Sequence, residues 1–204
     1  MSQFTHKDVE VLENTLAYKG FFELRRLTIK HALYTGDQTE AIRRELFLRG
    51  KTVGVLLYDP ENDLVGFVEQ FRVGALADEK SPWLNEIVAG ILDSGLTLEQ
   101  TAIKEVREET GLELKKLEPI ASYWMSPGGT DEKMHLFCGY TDLRDAEGHF
   151  GCADEHEDIR FHVMPLKEVF AKLADGFFNN ATTTIALQWL QIRLMGKTGQ
   201  GIDL

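Results

Sequence analysis

Apolar residues along this chain fall into two kinds of pattern, one typical of strands and one typical of helices. Short apolar runs bounded by turn-forming residues predict strands at residues 52–58, 64–73, 82–91, 117–124, 133–141 and 159–164. Apolar positions three and four apart predict helices at residues 98–110, 165–173 and 181–195. The polar residues 142–156 predict a long loop. This succession predicts an α/β fold, with a mixed sheet and helices on both faces.

The first fifty residues show a different pattern. Residues 20–34 and 41–49 alternate well enough for two strands, and the sequence Gly36-Asp37-Gln38 supplies a turn between them. We therefore expect an N-terminal β-hairpin arm, preceded by a strand or a short helix. This interpretation divides the chain into an arm, residues 1–50, and a main domain, residues 51–204.

The helix predicted at residues 98–110 has clear end signals. Thr97 is a suitable N-cap, and Gln100 stands where a capping box has its second member. Gly111 suits the left-handed residue that often follows the last helical turn. These local signals fix the helix boundaries and therefore its faces.

Three carboxylates of this helix, Glu105, Glu108 and Glu109, share one face, because positions three and four apart are neighbours on a helix. Like charges this close repel each other, and a hard divalent cation with oxygen ligands would compensate. A solvated acidic face is the alternative, and for a helical glutamate run taken alone it is the commoner one.

Charge and composition narrow the classes of function. The chain has 33 acidic and 22 basic residues and a formal net charge of −11. No basic tract is present to neutralise phosphates, which disfavours nucleic acid as a partner. No apolar run reaches the ~20 residues that span a bilayer, and the charged N-terminus lacks a signal segment, so we expect a cytoplasmic protein without a membrane partner. Cys138 and Cys152 lack metal-ligand spacing, and we expect free thiols.

The stretch from residue 90 to residue 112 resembles the Nudix box, the signature of a hydrolase family. That pattern is Gly, five residues, Glu, seven residues, then Arg-Glu-apolar-any-Glu-Glu-any-Gly-apolar. The matching positions are Gly90, Glu105, Val106, Glu108, Glu109, Gly111 and Leu112. Two positions depart, since Leu96 replaces the first glutamate and Lys104 replaces the arginine.

Segments outside the box extend the resemblance to the bacterial ADP-ribose pyrophosphatase branch of the family. They include residues 20–22, 43–45, 69–72, 126–130, 153–160 and 185–191. The resemblance implies the Nudix fold, an α/β/α sandwich, and hydrolysis of ADP-ribose to AMP and ribose 5-phosphate. It also implies a homodimer whose N-terminal arms are exchanged between subunits.

The resemblance assigns a magnesium site to the box, with Mn²⁺ as a substitute for Mg²⁺. Glu105 and Glu109 are its main ligands, and the carbonyl of Ala89 completes the coordination of one ion. Glu108 takes a supporting catalytic role, although a salt bridge to Lys104 four residues earlier is an equal alternative.

A second acidic cluster follows and comprises Asp154, Glu155, Glu157 and Asp158, with His156 between them. From the residues alone, a solvated loop is the simpler interpretation. The resemblance makes Glu155 the general base and Glu157 a further metal contact. His156 has a pKa suited to proton transfer, but we expect it to face solvent.

Several residues outside the box are candidates for substrate binding. Arg72 suits a phosphate or ribose, and a surface ion pair is its alternative. Phe21 and Phe22 would alternate on a strand, one in the core and one stacked on adenine. The resemblance adds Arg44, Glu45 and Arg49 on the returning strand, Ser126, Pro127, Gly128 and Glu132 near the distal ribose, and Ile91 beside the box. A charged edge strand and a plain tight turn are the alternatives for the arm and for the turn at residues 126–129.

Three rival functions remain open at this point. Another nucleoside diphosphate sugar, such as GDP-mannose or ADP-glucose, is a second substrate class, because sequence encodes base pockets poorly. A non-catalytic nucleotide-sensing module is a different class of function, and retention of the acidic residues argues against it. A DNA-binding regulator is weaker still, because no basic recognition helix is visible.

Overall fold

A computed structural model describes residues 3–152 and 156–197 of the chain. The chain divides into two compact units. The first comprises residues 1–51 together with residues 123–133, and the second comprises residues 52–122 together with residues 134–204. The segment 123–133 was not part of the arm predicted from the sequence.

The first unit contains the predicted hairpin as the second and third strands of a three-stranded antiparallel sheet. A short 3₁₀ helix, His6–Asp8, precedes strands β1 (Val9–Lys19), β2 (Glu23–His31) and β3 (Ile42–Leu48), which lie in that order. The strand predicted from residue 20 begins only at Glu23, because a tight turn closes there with the Gly20 N–H donating to the Phe22 carbonyl at 2.9 Å.

The segment 123–133 belongs to this unit through hydrogen bonds to the end of β3. The Phe47 N–H donates to the Gly129 carbonyl at 2.8 Å, and the Asp131 N–H donates to the Phe47 carbonyl at 3.3 Å. No residue of β1, β2 or β3 is fully buried within the chain. This sheet therefore has no core of its own.

The second unit is built on one large sheet. Its strands are β4 (Lys51–Asp59), β5 (Leu64–Phe71), β6 (Trp83–Glu86), β7 (Val88–Ile91), β8 (Lys116–Trp124), β9 (Lys133–Tyr140), β10 (Gly148–Phe150) and β11 (Ile159–Pro165). The order is β10-β11-β5-β4-β9-β8, with β6 paired to β5 and β7 paired to β4. Two predictions are corrected: residues 82–91 form two strands rather than one, and the loop at 142–156 contains the short strand β10.

Helices α1 (Leu98–Thr110), α2 (Leu166–Ala174) and α3 (Ala181–Lys197) cover the sheet. Val68 packs in the buried cluster that contains Val106 of α1. The neighbouring residue Phe67 faces the other side of the sheet, because successive side chains of a strand alternate. There its ring stacks on that of Phe178, between α2 and α3, with the centroids 5.0 Å apart. Strand β4 is buried from residue 52 to residue 59, as expected when both faces are covered. The predicted α/β/α sandwich is confirmed.

Two smaller expectations concern thiols and membranes. Cys138 and Cys152 are both free, as their spacing predicted. Within residues 3–152 and 156–197, no helix has the length and apolar content needed to cross a membrane.

Candidate active site

Helix α1 begins and ends as its sequence predicts. The Thr97 hydroxyl accepts a hydrogen bond from the Gln100 N–H at 3.2 Å, and the Gln100 side chain accepts one from the Thr97 N–H at 2.9 Å. After the helix, Gly111 has a φ of 68°, a left-handed value that glycine adopts without strain. The two ends fix the helical register, so glutamates four residues apart share one face.

Glu109 is the most buried of the candidate ligands, with only 3% of its surface exposed. Its carboxylate accepts a hydrogen bond from the Ala89 N–H at 3.3 Å. Burial raises the pKa of Glu109 well above its usual value, and the charge of Glu105 raises it further. The positive charge of Arg72 opposes that rise. An ionised Glu109 therefore needs more positive charge than the described side chains supply.

Glu105 lies one turn before Glu109 and is partly buried. Burial raises its pKa to about 7, against the opposing charge of Lys104. Its carboxylate packs directly on Gly90, where an added Cβ would collide with it. The glycine of the box is therefore required by the close approach of a carboxylate to the β7 backbone.

Lys104 links two acidic groups beside this pair. Its ammonium lies 2.9 Å from a Glu108 oxygen and 3.0 Å from an Asp93 oxygen. Both contacts raise the pKa of Lys104. The salt-bridge alternative for Glu108 is thus present in the structure, and Asp93 is a partner that the sequence did not indicate.

The donor set fits a divalent cation that retains water ligands. Glu105 and Glu109 supply carboxylate oxygens one helical turn apart, and the Ala89 N–H donates to Glu109. The charge of Glu157 raises the pKa of both glutamates. Mg²⁺ binds through one or two carboxylates and keeps several waters. No group of three or more acidic, His or Cys side chains forms a ready metal cage among residues 3–152 and 156–197. Glu155, the predicted general base, lies outside the described residues.

Arg72 follows β5 and pairs with Glu86 of β6, its Nε lying 2.6 Å from a glutamate oxygen. The ion-pair alternative for Arg72 is therefore present. Its positive charge also lowers the pKa of Glu109. The sequence did not single out Glu86, because the contact depends on how β5 and β6 pair.

The first unit brings together several of the predicted substrate-binding residues. The Arg49 guanidinium lies 4.5 Å above the ring of Phe22 and 3.4 Å from Glu132. The Phe22 ring makes an edge contact with Phe47 at 5.2 Å. Phe21 is 89% exposed and packs edge-on against Phe22. The strand alternation predicted for these two phenylalanines is wrong, because both lie in the turn between β1 and β2.

The turn at residues 126–129 is held to the end of β3 by a residue that the sequence did not indicate. Asp131 accepts hydrogen bonds from the backbone N–H groups of Arg49 and Gly50, at 2.6 and 2.9 Å. The Gly129 N–H donates to the Ser126 carbonyl at 3.1 Å, which closes the turn. Three predicted contacts are exposed in this turn, namely Ser126, Pro127 and Gly128.

The remaining candidates lie on exposed strand positions. Arg44 and Glu45 are exposed on β3, and the guanidinium of Arg44 donates to the Arg43 carbonyl at 2.8 Å. The returning strand ends at Leu48, so Arg49 follows it rather than belonging to it. Ile91 ends β7 and is 39% exposed.

Comparison with known proteins decides the family. A model of the NUDIX domain matches residues 48–185. This chain belongs to the Nudix family. Similar proteins include the ADP-ribose pyrophosphatases of Haemophilus influenzae, 40% identical over 94% of this chain and 90% of that one, and of Escherichia coli K12, 40% identical over 93% and 90%.

Two further matches widen the comparison. The GDP-mannose pyrophosphatase of Cronobacter sakazakii is 33% identical over 91% of this chain and 96% of its own length. A solved structure described as an ADP compounds hydrolase matches with a TM-score of 0.69 at 18% identity, covering 98% of this chain and 100% of that one. This last match supports the fold alone.

The two departures from the Nudix box lie near each other in the sequence but differ in contacts. Leu96 is 37% exposed, and its N–H donates to the Asp93 carbonyl at 3.2 Å. Lys104 reaches the side chain of the same Asp93. Both positions therefore contact Asp93 in the loop between β7 and α1, and neither is a member of the Glu105/Glu109 pair.

Proposed function

We propose that this Nudix chain is a divalent-metal-dependent pyrophosphatase that hydrolyses ADP-ribose to AMP and ribose 5-phosphate. The observation that carries the proposal is the pair formed by the partly buried Glu105 and the buried Glu109 beside the Ala89–Gly90 backbone, with both pKa values raised by burial. The two relatives that are 40% identical over nearly the whole chain support ADP-ribose as the substrate.

The chemistry is attack of water on one phosphorus of the pyrophosphate. A new P–O bond forms to the water oxygen, and the bridging P–O bond breaks with its electrons going to the departing phosphate. Glu155 is our candidate for the base that takes the water proton. A bound Mg²⁺ would supply charge neutralisation for the phosphoryl oxygens. Glu105, Glu109, Glu157 and the Ala89 carbonyl would hold it, and Arg72 would orient a phosphate or ribose oxygen.

Substrate recognition is the proposed role of the arm and of the turn at residues 126–129. Phe22 offers an aromatic face that Arg49 covers at 4.5 Å, and a flat adenine ring is a chemically similar partner for either group. Glu132 holds the Arg49 guanidinium, and we propose that it also accepts a hydrogen bond from a ribose hydroxyl. Arg44 and Glu45 are proposed to serve the site of a second copy.

The exposed apolar surface of β1 supports a homodimer. Every residue of β1 is exposed, including Val11, Leu16 and Tyr18 at 57%, 49% and 67%. A three-stranded sheet without a buried residue would not be stable alone in water. A second copy of the chain is the partner we propose for this sheet.

The experiment is a nucleotide-sugar panel with Mg²⁺, in which both products are identified. We expect ADP-ribose to have the highest kcat/KM, with AMP and ribose 5-phosphate formed in equal amounts. Activity should be lost after chelation and restored by Mg²⁺ or Mn²⁺. A higher kcat/KM for GDP-mannose, the substrate named for the relative at 33% identity, would replace the proposal with that alternative.

A further inference from the structure

The sheet of the second unit splits at one point beside the acidic pair. Strands β4 and β5 pair through residues 57–59 and 64–66. Beyond that, β7 pairs with residues 52–55 of β4, while β6 pairs with residues 68–71 of β5. Ile87, almost fully buried, is the residue at which the chain crosses from one branch to the other.

Backbone groups at this crossing are satisfied by α3 rather than by neighbouring strands. The Ile87 N–H donates to the hydroxyl of Thr183 at 3.1 Å, and Thr183 is fully buried. The Asn85 carbonyl accepts a hydrogen bond from the Asn180 side chain at 2.9 Å. A buried backbone group without a partner is destabilising, so these contacts oppose any shift of the crossing.

Asn180 makes the contact rigid because it also caps the helix. Its side-chain oxygen accepts a hydrogen bond from the Thr183 N–H at 3.0 Å, so one amide joins the first turn of α3 to β6. The Asn85 side-chain oxygen in turn accepts a hydrogen bond from His162 Nε2 at 2.7 Å. Thr183 and Asn180 are called the α3 anchor below.

The anchored segment carries two groups of the candidate site. Glu86, between the anchored residues 85 and 87, holds Arg72 at 2.6 Å. Ala89, two residues beyond Ile87, donates to Glu109 at 3.3 Å. A displacement of the crossing would therefore move Arg72 and the Ala89 backbone together.

We propose that the α3 anchor is a set of positioning residues: Thr183 and Asn180 hold the β6–β7 crossing so that the Ala89 backbone and the Arg72–Glu86 pair meet the Glu105/Glu109 pair. The inference rests on the proposed function for its link to metal and substrate. Neither anchor residue touches the acidic pair in the contacts described, so their effect passes through the backbone.

The test compares Thr183→Val with Thr183→Ser and with Thr184→Val. Valine has the shape of threonine but cannot accept the Ile87 hydrogen bond, whereas serine can. Thr184, the next residue, bonds the Phe178 and Asn180 carbonyls through its hydroxyl, so its valine variant controls for general weakening of the helix start. Asn180→Ser is a second variant that keeps a good N-cap but loses the contact to Asn85.

Three measurements follow on each full-length protein: amide hydrogen exchange at Ile87, Mn²⁺ affinity without substrate by electron paramagnetic resonance, and kcat and KM. We expect faster Ile87 exchange in Thr183→Val, and Mn²⁺ affinity about 10-fold weaker in Thr183→Val and Asn180→Ser, as for residues that orient metal ligands. Thr183→Ser and Thr184→Val should stay close to wild type.

Equal Mn²⁺ affinities in Asn180→Ser, Thr184→Val and wild type would overturn the inference, even if Thr183→Val failed to fold. The outcome is separable from that of the proposed function. Weakened Mn²⁺ binding in the anchor variants of a protein that does not hydrolyse ADP-ribose would uphold the anchor and overturn the substrate. Hydrolysis of ADP-ribose with unchanged Mn²⁺ affinity in the anchor variants would uphold the substrate and overturn the anchor.

Discussion

The carboxyl of Glu109 is buried and accepts one backbone hydrogen bond, while Glu105 stands one helical turn away. In the absence of a cation, burial and like charge both oppose ionisation of Glu109, so its raised pKa records a folding cost. The unfolded chain ionises this group near its usual pKa of 4.5, and the folded chain does so only at higher pH. Stability without metal should therefore fall as pH rises above 4.5.

Glu109→Gln separates the catalytic role of this residue from its stability cost. We expect kcat to fall about 10³-fold, as for loss of one major electrostatic element. In a chelator at pH 8 the variant should melt at or above the wild-type temperature, because glutamine is neutral in both states. Near pH 4, where the wild-type carboxyl is protonated folded and largely protonated unfolded, that advantage should disappear.

Melting curves with a chelator at both pH values and kcat at saturating Mg²⁺ provide the measurements. Glu113→Gln is the control, because Glu113 is an exposed carboxylate just after α1, paired with Arg107. A Glu109→Gln protein with near-normal kcat would show that Glu109 is not a ligand.

Single residues of the site were predictable where the sequence carries a local pattern. Glu105 and Glu109 follow from helical spacing, and Gly90 from the box. Glu86 and Asp131 were not predictable, because only tertiary pairing brings each near its partner. Glu86 pairs with Arg72, and Asp131 accepts hydrogen bonds from the backbone just after β3.

At the scale of elements, prediction succeeded where structure is local. Helix α1 was predicted from its N-cap to its final glycine. Both end signals are local, because the capping box and the left-handed glycine each involve residues no more than four positions apart. The sequence predicts one strand over residues 82–91, because its apolar run does not show that the sheet splits or that Thr183 of α3 accepts the hydrogen bond of the Ile87 N–H. For β1 the sequence leaves a strand and a short helix as alternatives, because an exposed strand lacks a strong apolar alternation.

The loop between β7 and α1 is the element in which this chain departs from the Nudix box. Leu96→Glu would place a carboxylate beside the N-terminus of α1, where the helix dipole favours it by a few tenths to ~1 kcal/mol. Since Leu96 is 37% exposed, we expect little loss of melting temperature. The apparent Mg²⁺ affinity should change more than the maximal rate, because the position is more than two turns from Glu105.

Mg²⁺ titrations of both proteins at saturating ADP-ribose, with melting curves alongside, test this division. Leu96→Gln serves as the uncharged control of similar size. A large gain in maximal rate for Leu96→Glu at saturating Mg²⁺ would show that the missing glutamate belongs to the catalytic machinery.

At the scale of the whole molecule, the two units differ in how they are stabilised. The second has a sheet buried on both faces, with Leu56, Phe67 and Leu187 fully buried. The first has no fully buried strand residue, although it carries Arg49, Phe22 and other proposed substrate contacts. Sequence patterning could not show this difference, because exposure of a strand depends on what packs against it.

The last prediction concerns assembly. If the arm acts on the site of a second copy, each site combines the arm of one subunit with the acidic pair of the other. Arg44→Ala then affects the arm, and Glu109→Gln affects the acidic pair. In a mixed dimer, one site then carries both substitutions and the other carries neither. After random exchange of equal amounts, half the dimers are mixed, so about one quarter of all sites should be intact. Two inactive proteins should therefore regain about a quarter of wild-type activity when mixed and allowed to exchange.

Light scattering establishes the oligomeric state, and heterodimers isolated with two different affinity tags remove any dependence on the exchange rate. Mixing Glu105→Gln with Glu109→Gln is the matched control, because both substitutions affect the same unit and no intact site can form. Recovery in the first mixture but not in the second requires the arm to act between subunits. A monomer at working concentration would show that a second copy does not cover β1. No recovery in isolated heterodimers would show that the arm does not act on the site of the partner.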